Sequence, residues 1–298
     1  MNVVIGVPTY GNIKFTRLTI EHIIRTAGSL DYDLAIVIGK EDDRETLEYC
    51  NRNGIQAILH TYNKGLPASI NDLYDYTFKL KKRDALIVVG NDVLPYWNSL
   101  ERLVEVASTT EYGWVSGDCI LAETLMEEVP ACKSYFGGGE RGVNFLANDL
   151  YEWLDDYKPD SNSAIVDTTH YKIIGDTHNM CLFTKDIFES VGYIDVNFFP
   201  AYFEDNDYAR RAILLGNKIC NVKNAKYFHF WSRTVHQGNM KGTNDKFFPL
   251  NKEYYFDKWG GEPGDELYDT PFNDTIPLKI SDRVNEKNII KEWSEKRK

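Results

Sequence analysis

The sequence lacks the features that would place it among secreted, membrane-spanning or zinc-finger proteins. Its five cysteines are widely separated and form no C-x-x-C pair, which predicts reduced, mostly buried thiols rather than a disulfide framework. No apolar run approaches the length of a membrane span, and the first residues have neither the basic region nor the apolar run of a signal peptide. We therefore expect a cytoplasmic protein without a membrane span, located in the host cytoplasm if the source is viral.

Positive charge is also in short supply. The chain has 34 Lys and Arg against 45 Asp and Glu, a formal net charge of −11. This balance disfavours a DNA or RNA partner held by broad phosphate neutralisation, although a local basic patch would still permit one. The chain has neither a G-x-x-x-x-G-K-[ST] loop nor a G-x-G-x-x-G after its first strand, which argues against a phosphate-loop NTPase and a dinucleotide oxidoreductase.

Four short apolar runs, separated by segments with helical spacing, dominate the first third of the chain. They cover 3–7, 34–39, 57–59 and 86–89, and Pro8 is expected to end the first. Strands buried on both faces read as continuous apolar runs, and their alternation with helices is typical of a parallel sheet. The pattern therefore predicts an α/β fold with a doubly wound, mostly parallel sheet and right-handed crossovers.

The rest of the chain is less regular. We expect one α/β domain over 1–232, interrupted by an irregular insertion over 119–178 that is rich in loop residues. A C-terminal extension over 233–298 is expected to pack on this domain. The aromatic cluster at 254–259 within the extension is interpreted as core rather than as a ligand platform.

Polar turns follow each of the four predicted strands, at 8–10, 41–43, 63–65 and 91–92. Because parallel strands end at one edge of the sheet, these turns are expected to converge there, where such sheets bind ligands. Asp92 could then hold a divalent cation against the phosphates of a ligand. The alternative is that Asn91 and Asp92 only form a turn.

Several motifs at these positions resemble a known family. Residues 4–10 (Val-Ile-Gly-Val-Pro-Thr-Tyr) are similar to the opening strand and turn of family 2 glycosyltransferases, and 63–71 to their N-x-G-x-x-x-A-x-N run. Residues 90–93 stand where the family carries D-x-D or N-D, and 192–207 resemble its G-G-F-D and E-D-x-D segment most closely. The chain thus resembles an inverting family 2 glycosyltransferase of the GT-A fold from residue 3 to about 231, and a phage, viral or bacterial source is compatible with this resemblance.

The resemblance implies a role for each matched residue. It implies nucleotide contacts for Pro8, Thr9 and Tyr10, a nucleobase contact for Asp42 or Asp43, and further donor contacts for Asn63, Gly65, Asn71 and Asn91. It implies metal ligation by Asp92 and by a late histidine, either His229 or His236. Asp205 is implied as the general base, with Glu204 beside it.

Each of these roles has a structural alternative. Glu204 and Asp205 could be ordinary first-turn acids that compensate a helix dipole. Asp207 stands four residues before Arg211, which predicts an exposed ion pair on a helix. His229 could be a core histidine among aromatic neighbours, and Asn71 a packing residue. The D-x-D is also incomplete, because Asn and Val flank Asp92.

The expected activity is the transfer of a sugar, a hexose by preference, from a nucleotide diphosphate sugar such as a UDP-sugar to a hydroxyl acceptor. The expected cofactor is Mn²⁺ or Mg²⁺, and a saccharide is the default acceptor. One alternative is a phage enzyme that glycosylates a modified base in DNA, which the net charge disfavours. Others are a non-catalytic nucleotide-sugar or glycan-binding module and a nucleotidyltransferase, although 10–14 is a poor version of the basic Gly-rich loop that the last requires. The oligomeric state stays open.

Overall fold

A computed structural model of the protein describes residues 1–120, 164–169, 179–230 and 243–283, with side chains from 246 onward in the last range. Nine strands in this part of the chain form one mixed sheet. They are β1 (Val3–Thr9), β2 (Tyr32–Ile38), β3 (Gln56–Leu59), β4 (Ala85–Val89), β5 (Val93–Pro95), β6 (Tyr112–Ile120), β7 (Ile165–Asp167), β8 (Met180–Thr184) and β9 (Lys218–His229).

The strand order is β3-β2-β1-β4-β8-β6-β9-β5, with β7 paired to β9. The first four strands are parallel, as the apolar runs predict. The other half is mixed: β8 is antiparallel to both β4 and β6, whereas β6 and β9 are parallel. The predicted α/β sheet is therefore confirmed, and its parallel half carries all four of the predicted polar turns.

The prediction that Pro8 ends the first strand is wrong. Strand β1 continues to Thr9, with Pro8 opposite Val37 of β2. The pairing of β1 with β4 stops at Gly6, so Pro8 has a strand partner on one side only. A proline fits such a position because it has no N–H to donate to a second neighbour.

Seven helices are described. They are α1 (Ile13–Thr26), α2 (Arg44–Arg52), α3 (Gly65–Tyr74), α4 (Ser99–Thr109), α5 (Lys185–Val191), α6 (Glu204–Leu214) and α7 (Thr243–Trp259). A π-helical turn, Asp75–Leu80, continues α3, and a short 3₁₀ helix, Pro271–Asn273, follows α7.

The two faces of the sheet support separate layers of helices. Alternate residues of β1 such as Ile5 contact α1, α2 and α4 on one face. Their neighbours such as Val4 contact α3, α5 and α6 on the other. Aromatic rings dominate the second layer, where Tyr74 meets Phe183 edge to face with centroids 5.7 Å apart. Such a pair contributes about 0.5–1.5 kcal/mol beyond its buried area.

Helix α7 is held to this second layer by buried charges. Lys258 lies 2.7 Å from Asp195 and 2.6 Å from Asp207, and Asp207 also pairs with Arg211 at 2.9 Å. The prediction of an exposed Asp207–Arg211 pair is therefore wrong in its exposure, since both side chains are buried beneath α7. Trp259 adds a hydrogen bond from Nε1 to Asp207 at 3.0 Å.

Two other expectations concern single residue types. Cys50, Cys181 and Cys220 are buried free thiols, as predicted. Tyr255 and Trp259 are core residues packed with Phe198, as the core interpretation of the 254–259 cluster requires. Within the described residues, no helix is long and apolar enough to cross a membrane.

Candidate functional site

A cavity of about 460 Å³ opens at the carboxyl edge of the parallel strands. This size suits a small-molecule ligand. Most of the residues singled out from the sequence line it, namely Pro8, Thr9, Tyr10, Asn63, Gly65, Asn91, Asp92, Glu204, Asp205 and His229. The topology explains the convergence, because the ends of β1, β2 and β4 and the first turns of α3 and α6 meet at this edge.

The floor of the cavity is a buried hydrogen-bonded cluster around Asn91. Its amide donates to the hydroxyls of Thr9 and Thr16 at 3.3 Å each, and Thr19 donates to its carbonyl at 2.9 Å. These threonines belong to β1 and α1, so Asn91 joins the end of β4 to both elements. Asn91 therefore fixes the position of the loop that carries Asp92.

Tyr10 and Asn63 form one side wall. Burial of the Tyr10 ring raises its pKa, a hydrogen bond from Asn63 opposes that shift, and Glu41 adds to it. Asn63 also accepts a hydrogen bond from the backbone N–H of Gly65 at 2.9 Å. Gly39 lies beside this wall, and its N–H donates to the carbonyl of Thr9 at 2.8 Å. The phenol ring is therefore held over the ends of β1 and β2.

Gly65 is required by the protein's own backbone. It adopts φ +82°, and a Cβ there would come within 2.9 Å of the carbonyl oxygen of Pro200. The next residue, Leu66, donates its N–H to the same oxygen at 2.7 Å. The 199–200 segment thus lies against the first turn of α3 and fixes the loop before α6 there.

Asp92 and His229 lie together at the centre of the cavity. The imidazole Nε2 is 3.3 Å from a carboxylate oxygen of Asp92, and both side chains are nearly buried. The pairing of β5 with β9 causes this proximity, since Val93 is the register partner of His229. Phe230 also donates its N–H to the Asp92 carbonyl at 3.0 Å.

A carboxylate oxygen and an imidazole nitrogen at this spacing can serve as two ligands of a divalent cation. They suit Mn²⁺ better than Mg²⁺, and two ligands alone do not complete the coordination of either ion. Carboxylates suit both ions, and imidazole suits transition metals better than Mg²⁺. Among the residues described, no group of three or more His, Cys, Asp or Glu side chains is suited to a metal. Further ligands would therefore have to come from a bound substrate and water, as is usual where metal ions act on phosphates.

The first turn of α6 contains three acids, and two of them reach the cavity. Glu204 and Asp205 line it, whereas Asp207 points into the buried charge network. The two residues before the helix, Tyr202 and Phe203, have φ of +81° and +70°. Left-handed backbone is unfavourable for such bulky side chains, and this kind of strain clusters at functional sites.

Asp205 is only partly buried, and one of its oxygens accepts the N–H of Asn206 at 2.8 Å. Glu204, by contrast, is buried. Both carboxylates stand at a helix N-terminus, where the helix dipole favours a negative charge. The more accessible Asp205 is thus the better placed of the two to exchange a proton with a ligand.

Three of the predicted site residues lie outside the cavity lining. Asp43 caps α2, accepting from the N–H of Thr46 at 3.1 Å and from its hydroxyl at 2.7 Å. Asp42 is exposed on the same turn. Asn71 is buried, and its amide exchanges two hydrogen bonds with the backbone of Ile194 at 2.8 and 2.9 Å. His236 and nearly all of the 119–178 insertion fall outside the described residues.

The sequence analysis gave no site role to four aromatic residues of the lining, and two of these four lie outside every motif that it considered. Phe247 and Phe248 reach the cavity from α7, within the C-terminal extension. No motif marks them, because they belong to a segment without family resemblance and are separated from the matched loop by about forty residues of chain. Two adjacent phenylalanines are the one signal in the sequence that could have drawn attention to them.

An α/β sheet with a ligand-sized cavity at the carboxyl edge of its parallel strands defines the class of doubly wound folds, to which the GT-A fold belongs. Comparisons with solved structures place the chain more closely within it. The mannosyltransferase PcManGT from Pyrobaculum calidifontis, in complex with GDP-Man and Mn²⁺, matches 89% of this chain and 67% of its own with a TM-score of 0.54 and 12% identity. GalNAc-T7 with UDP, GalNAc and Mn²⁺ matches 86% of this chain and 50% of its own, with a TM-score of 0.54 and 11% identity.

The TarS fragment 1–349 of S. aureus matches 77% of this chain and 60% of its own, with a TM-score of 0.51 and 13% identity. At such identities these likenesses show the fold, and they confirm the GT-A-like fold prediction. In sequence, the chain is 29% identical over 113 residues to a galactofuranosyl glycosyltransferase of Leishmania donovani, covering 30% of this chain and 26% of that protein. The chain thus spans about a quarter of that relative. No family model matches the chain.

Proposed function

We propose that the protein is an inverting, metal-dependent glycosyltransferase that moves a hexose from a nucleotide diphosphate sugar to a hydroxyl acceptor. One observation carries the proposal. The paired Asp92 and His229 share a cavity with Asp205, at the carboxyl edge of a sheet like those of solved glycosyltransferases. A cation-binding pair and an accessible carboxylate in one small cavity are the two groups that such a transfer needs.

The donor would lie along the floor of the cavity. Tyr10 and Gly39 offer an aromatic ring and a bare backbone to the nucleobase, at the ends of β1 and β2. Two of the similar solved structures are complexes with UDP or UDP-GlcNAc, and a third is a complex with GDP-Man. We infer a UDP-hexose as the donor for this chain, with GDP- and dTDP-sugars as the comparison set.

Asp92 and His229 would hold the divalent cation, Mn²⁺ being preferred because an imidazole is one of the two ligands. When bound, the cation supplies Lewis-acid stabilisation of the charge on the departing diphosphate. The positive charge of the cation would also offset the negative charge of the carboxylates that line the cavity. Asp92, Glu204 and Asp205 face one cavity, and an anionic diphosphate could not enter beside three carboxylates without a cation to offset the repulsion.

Asp205 would act as the general base. The acceptor oxygen attacks the anomeric carbon, its proton passes to the Asp205 carboxylate, and the bond from that carbon to the diphosphate oxygen breaks with its electron pair on the leaving group. Attack from the side opposite the leaving group inverts the anomeric configuration. Buried Glu204, on the same turn, would help to position the acceptor hydroxyl.

The test is donor turnover by the purified full chain. UDP-glucose, UDP-galactose, UDP-GlcNAc, UDP-GalNAc, GDP-mannose and dTDP-glucose would each be incubated with Mn²⁺, Mg²⁺ or EDTA, and the release of nucleoside diphosphate followed. We expect slow hydrolysis of one donor that EDTA abolishes. Asp205→Asn should lower this turnover by about 10²–10⁴-fold while the donor Kd stays within a few-fold.

Asp257→Asn is the matched control, since Asp257 is exposed on α7 and does not line the cavity. It should leave turnover at the wild-type rate. Full turnover by Asp205→Asn would show that the general base is another residue. Donor binding without turnover by any donor would favour the non-catalytic binding module, and neither binding nor turnover across the set would refute the proposal.

A further inference from the structure

A second part of the cavity lining, contributed by other segments than Tyr10 and Asn63, is built of aromatic rings. Tyr202 and Phe203 reach it from the loop before α6, and Phe247 and Phe248 reach it from α7. These four residues are called the aromatic wall below. Ring centroids of Phe248 lie 5.4 Å from Tyr202 and 5.2 Å from Phe203, so the rings of the two segments pack directly on one another.

The wall keeps apolar ring surface open to the cavity. Phe248 is 39% exposed although it has two ring neighbours within the packed structure. An exposed aromatic side chain is unremarkable on a convex surface, but here it lines a cavity that also holds the candidate base. Exposed apolar surface inside a concave site is the property that marks ligand contact.

The wall is also held in place without a ligand. The buried Asn251, one turn after Phe247 and Phe248, donates from Nδ2 to the carbonyl of Ala201 at 2.8 Å. This hydrogen bond ties α7 to the loop that carries Tyr202 and Phe203. A preformed wall binds a flat ligand face with little ordering cost.

The position of the wall determines what it can bind. Tyr202 and Phe203 immediately precede Glu204 and Asp205 in the chain, so a ring resting on the wall lies beside the candidate base. We propose that the aromatic wall is the acceptor site and that the acceptor is a neutral hexose residue of a saccharide. This inference rests on the proposed function, because it takes Asp205 as the group that receives the acceptor proton.

The chemistry of a pyranose fits this surface. One face of a hexose ring presents mainly C–H groups, which carry a partial positive charge and are attracted to the negative face of an aromatic ring. The edge of the ring presents hydroxyls, which can donate hydrogen bonds to the Glu204 and Asp205 carboxylates. A saccharide thus uses both kinds of surface that the cavity offers at this end.

An anionic acceptor is disfavoured by the same geometry. Asp92, Glu204 and Asp205 face the cavity, and the whole chain carries a formal net charge of −11. The aromatic wall could stack on a modified base of DNA. The phosphates of that DNA would, however, be brought towards these acids and repelled by them. The observations therefore favour the neutral saccharide, and DNA becomes an outcome of the test.

The experiment compares Phe248→Ala with Phe256→Ala in the full chain. Phe256 lies eight residues later on the same helix, is 51% exposed and does not line the cavity, so it controls for the loss of an exposed ring. The probes are methyl glycosides of glucose, galactose and mannose, the disaccharides cellobiose and lactose, and a DNA duplex containing 5-hydroxymethylcytosine. Stimulation of donor turnover and saturation-transfer NMR of each probe are measured.

We expect at least one glycoside or disaccharide to bind and to raise turnover in the wild type and in Phe256→Ala. In Phe248→Ala its KM should rise by about tenfold, as expected for the loss of one stacking ring, with a much smaller change in donor KM. Saturation transfer to the ring C–H protons should weaken in parallel. Equal acceptor KM and equal saturation transfer in the two variants would overturn the proposal.

Stimulation by the DNA duplex alone would also overturn it, as would donor turnover that no saccharide raises. Failure of the proposed function has a different signature, namely no donor binding and no hydrolysis by the wild type. Saturation transfer needs no turnover, so in that event loss of saccharide binding in Phe248→Ala would still support the wall as a saccharide site, and undiminished or absent binding would refute it.

Discussion

Replacing Lys258 by Met tests the buried charge network that holds α7. The Lys258 side chain is 4% exposed and lies within 2.7 Å of both Asp195 and Asp207. Met matches the length of the apolar stem and removes only the charge. Asp207 keeps Arg211 and Trp259 as partners, but Asp195 keeps only neutral ones, the Tyr254 hydroxyl at 3.0 Å and the amide groups of Asn197.

The magnitude follows from this loss of neutrality. The network has two carboxylates and two cations, so the substitution leaves one buried negative charge uncompensated. Breaking a buried ion pair in this way costs about 3–5 kcal/mol. For a chain of this size, roughly 2 °C of Tm is lost per kcal/mol, so the Tm should fall by roughly 6–10 °C.

The pH dependence gives a second readout. Burial of Asp195 opposes its ionisation, but Lys258 and Asn197 outweigh that effect and lower the pKa to about 2. Because the folded-state pKa of Asp195 is below its unfolded value, ionised Asp195 adds about 2 kcal/mol to the free energy of unfolding above about pH 4. This contribution is lost as the pH falls towards 2. Without Lys258 this contribution is largely absent, so the Tm difference between wild type and variant should shrink across that interval.

Thermal unfolding of wild type, Lys258→Met and Lys252→Met between pH 7 and pH 2 measures both effects. Lys252 is the matched control, because it lies on the same helix in an exposed pair with Glu262 at 2.9 Å. Such a surface pair contributes about 0–1 kcal/mol. Equal Tm values for the two variants, or a Tm difference independent of pH, would refute the conclusion that this network holds α7 to the rest of the fold.

Two further predictions concern the loop at Gly65 and the buried thiols. Gly65→Ala should cost about 1–3 kcal/mol in thermal unfolding, because its φ is +82° and its Cβ would meet the Pro200 carbonyl at 2.9 Å. Gly54→Ala shares the positive φ but meets nothing within 4 Å, so equal losses in the two variants would contradict the close approach. Burial raises the pKa of Cys50 to about 11, with a contribution from Asp43, and that of Cys220 to about 12, with one from Asp167. Alkylation by iodoacetamide at pH 8, mapped by mass spectrometry, should therefore be slow at both in the native protein and fast after unfolding, and rapid native modification would contradict this burial.

The parallel half of the fold could be predicted because its strands are buried on both faces. Such strands need apolar side chains at nearly every position, so 3–7 of β1, 34–38 of β2 and all of β4 appear as uninterrupted apolar runs. Strand β9 has no such run. Its Lys223 and Lys226 are instead paired with Asp118 of β6 at 2.7 and 2.6 Å, a contact between residues more than a hundred positions apart.

The candidate site was predictable to the extent that it depends on strand ends. Turns after parallel strands meet at one edge, which brings Thr9, Asn63 and Asp92 together whatever their side chains do. Side-chain direction was not predictable in the same way. Asp43 satisfies the first turn of α2 and Asn71 satisfies the backbone of Ile194, because local unpaired backbone groups offer closer partners than a distant ligand.

Helix α7 joins the stability of the fold to the shape of the acceptor side. Lys258 near its end is bound to Asp195 and Asp207, Asn251 in its middle is bound to the Ala201 carbonyl, and Phe248 near its start completes the aromatic wall. The donor side depends on other contacts, since Asn91 is held by threonines of β1 and α1. Loss of the Lys258 ion pairs would therefore disturb the aromatic wall more than the floor of the cavity near Asp92. The two halves of the cavity therefore rest on separate sets of contacts.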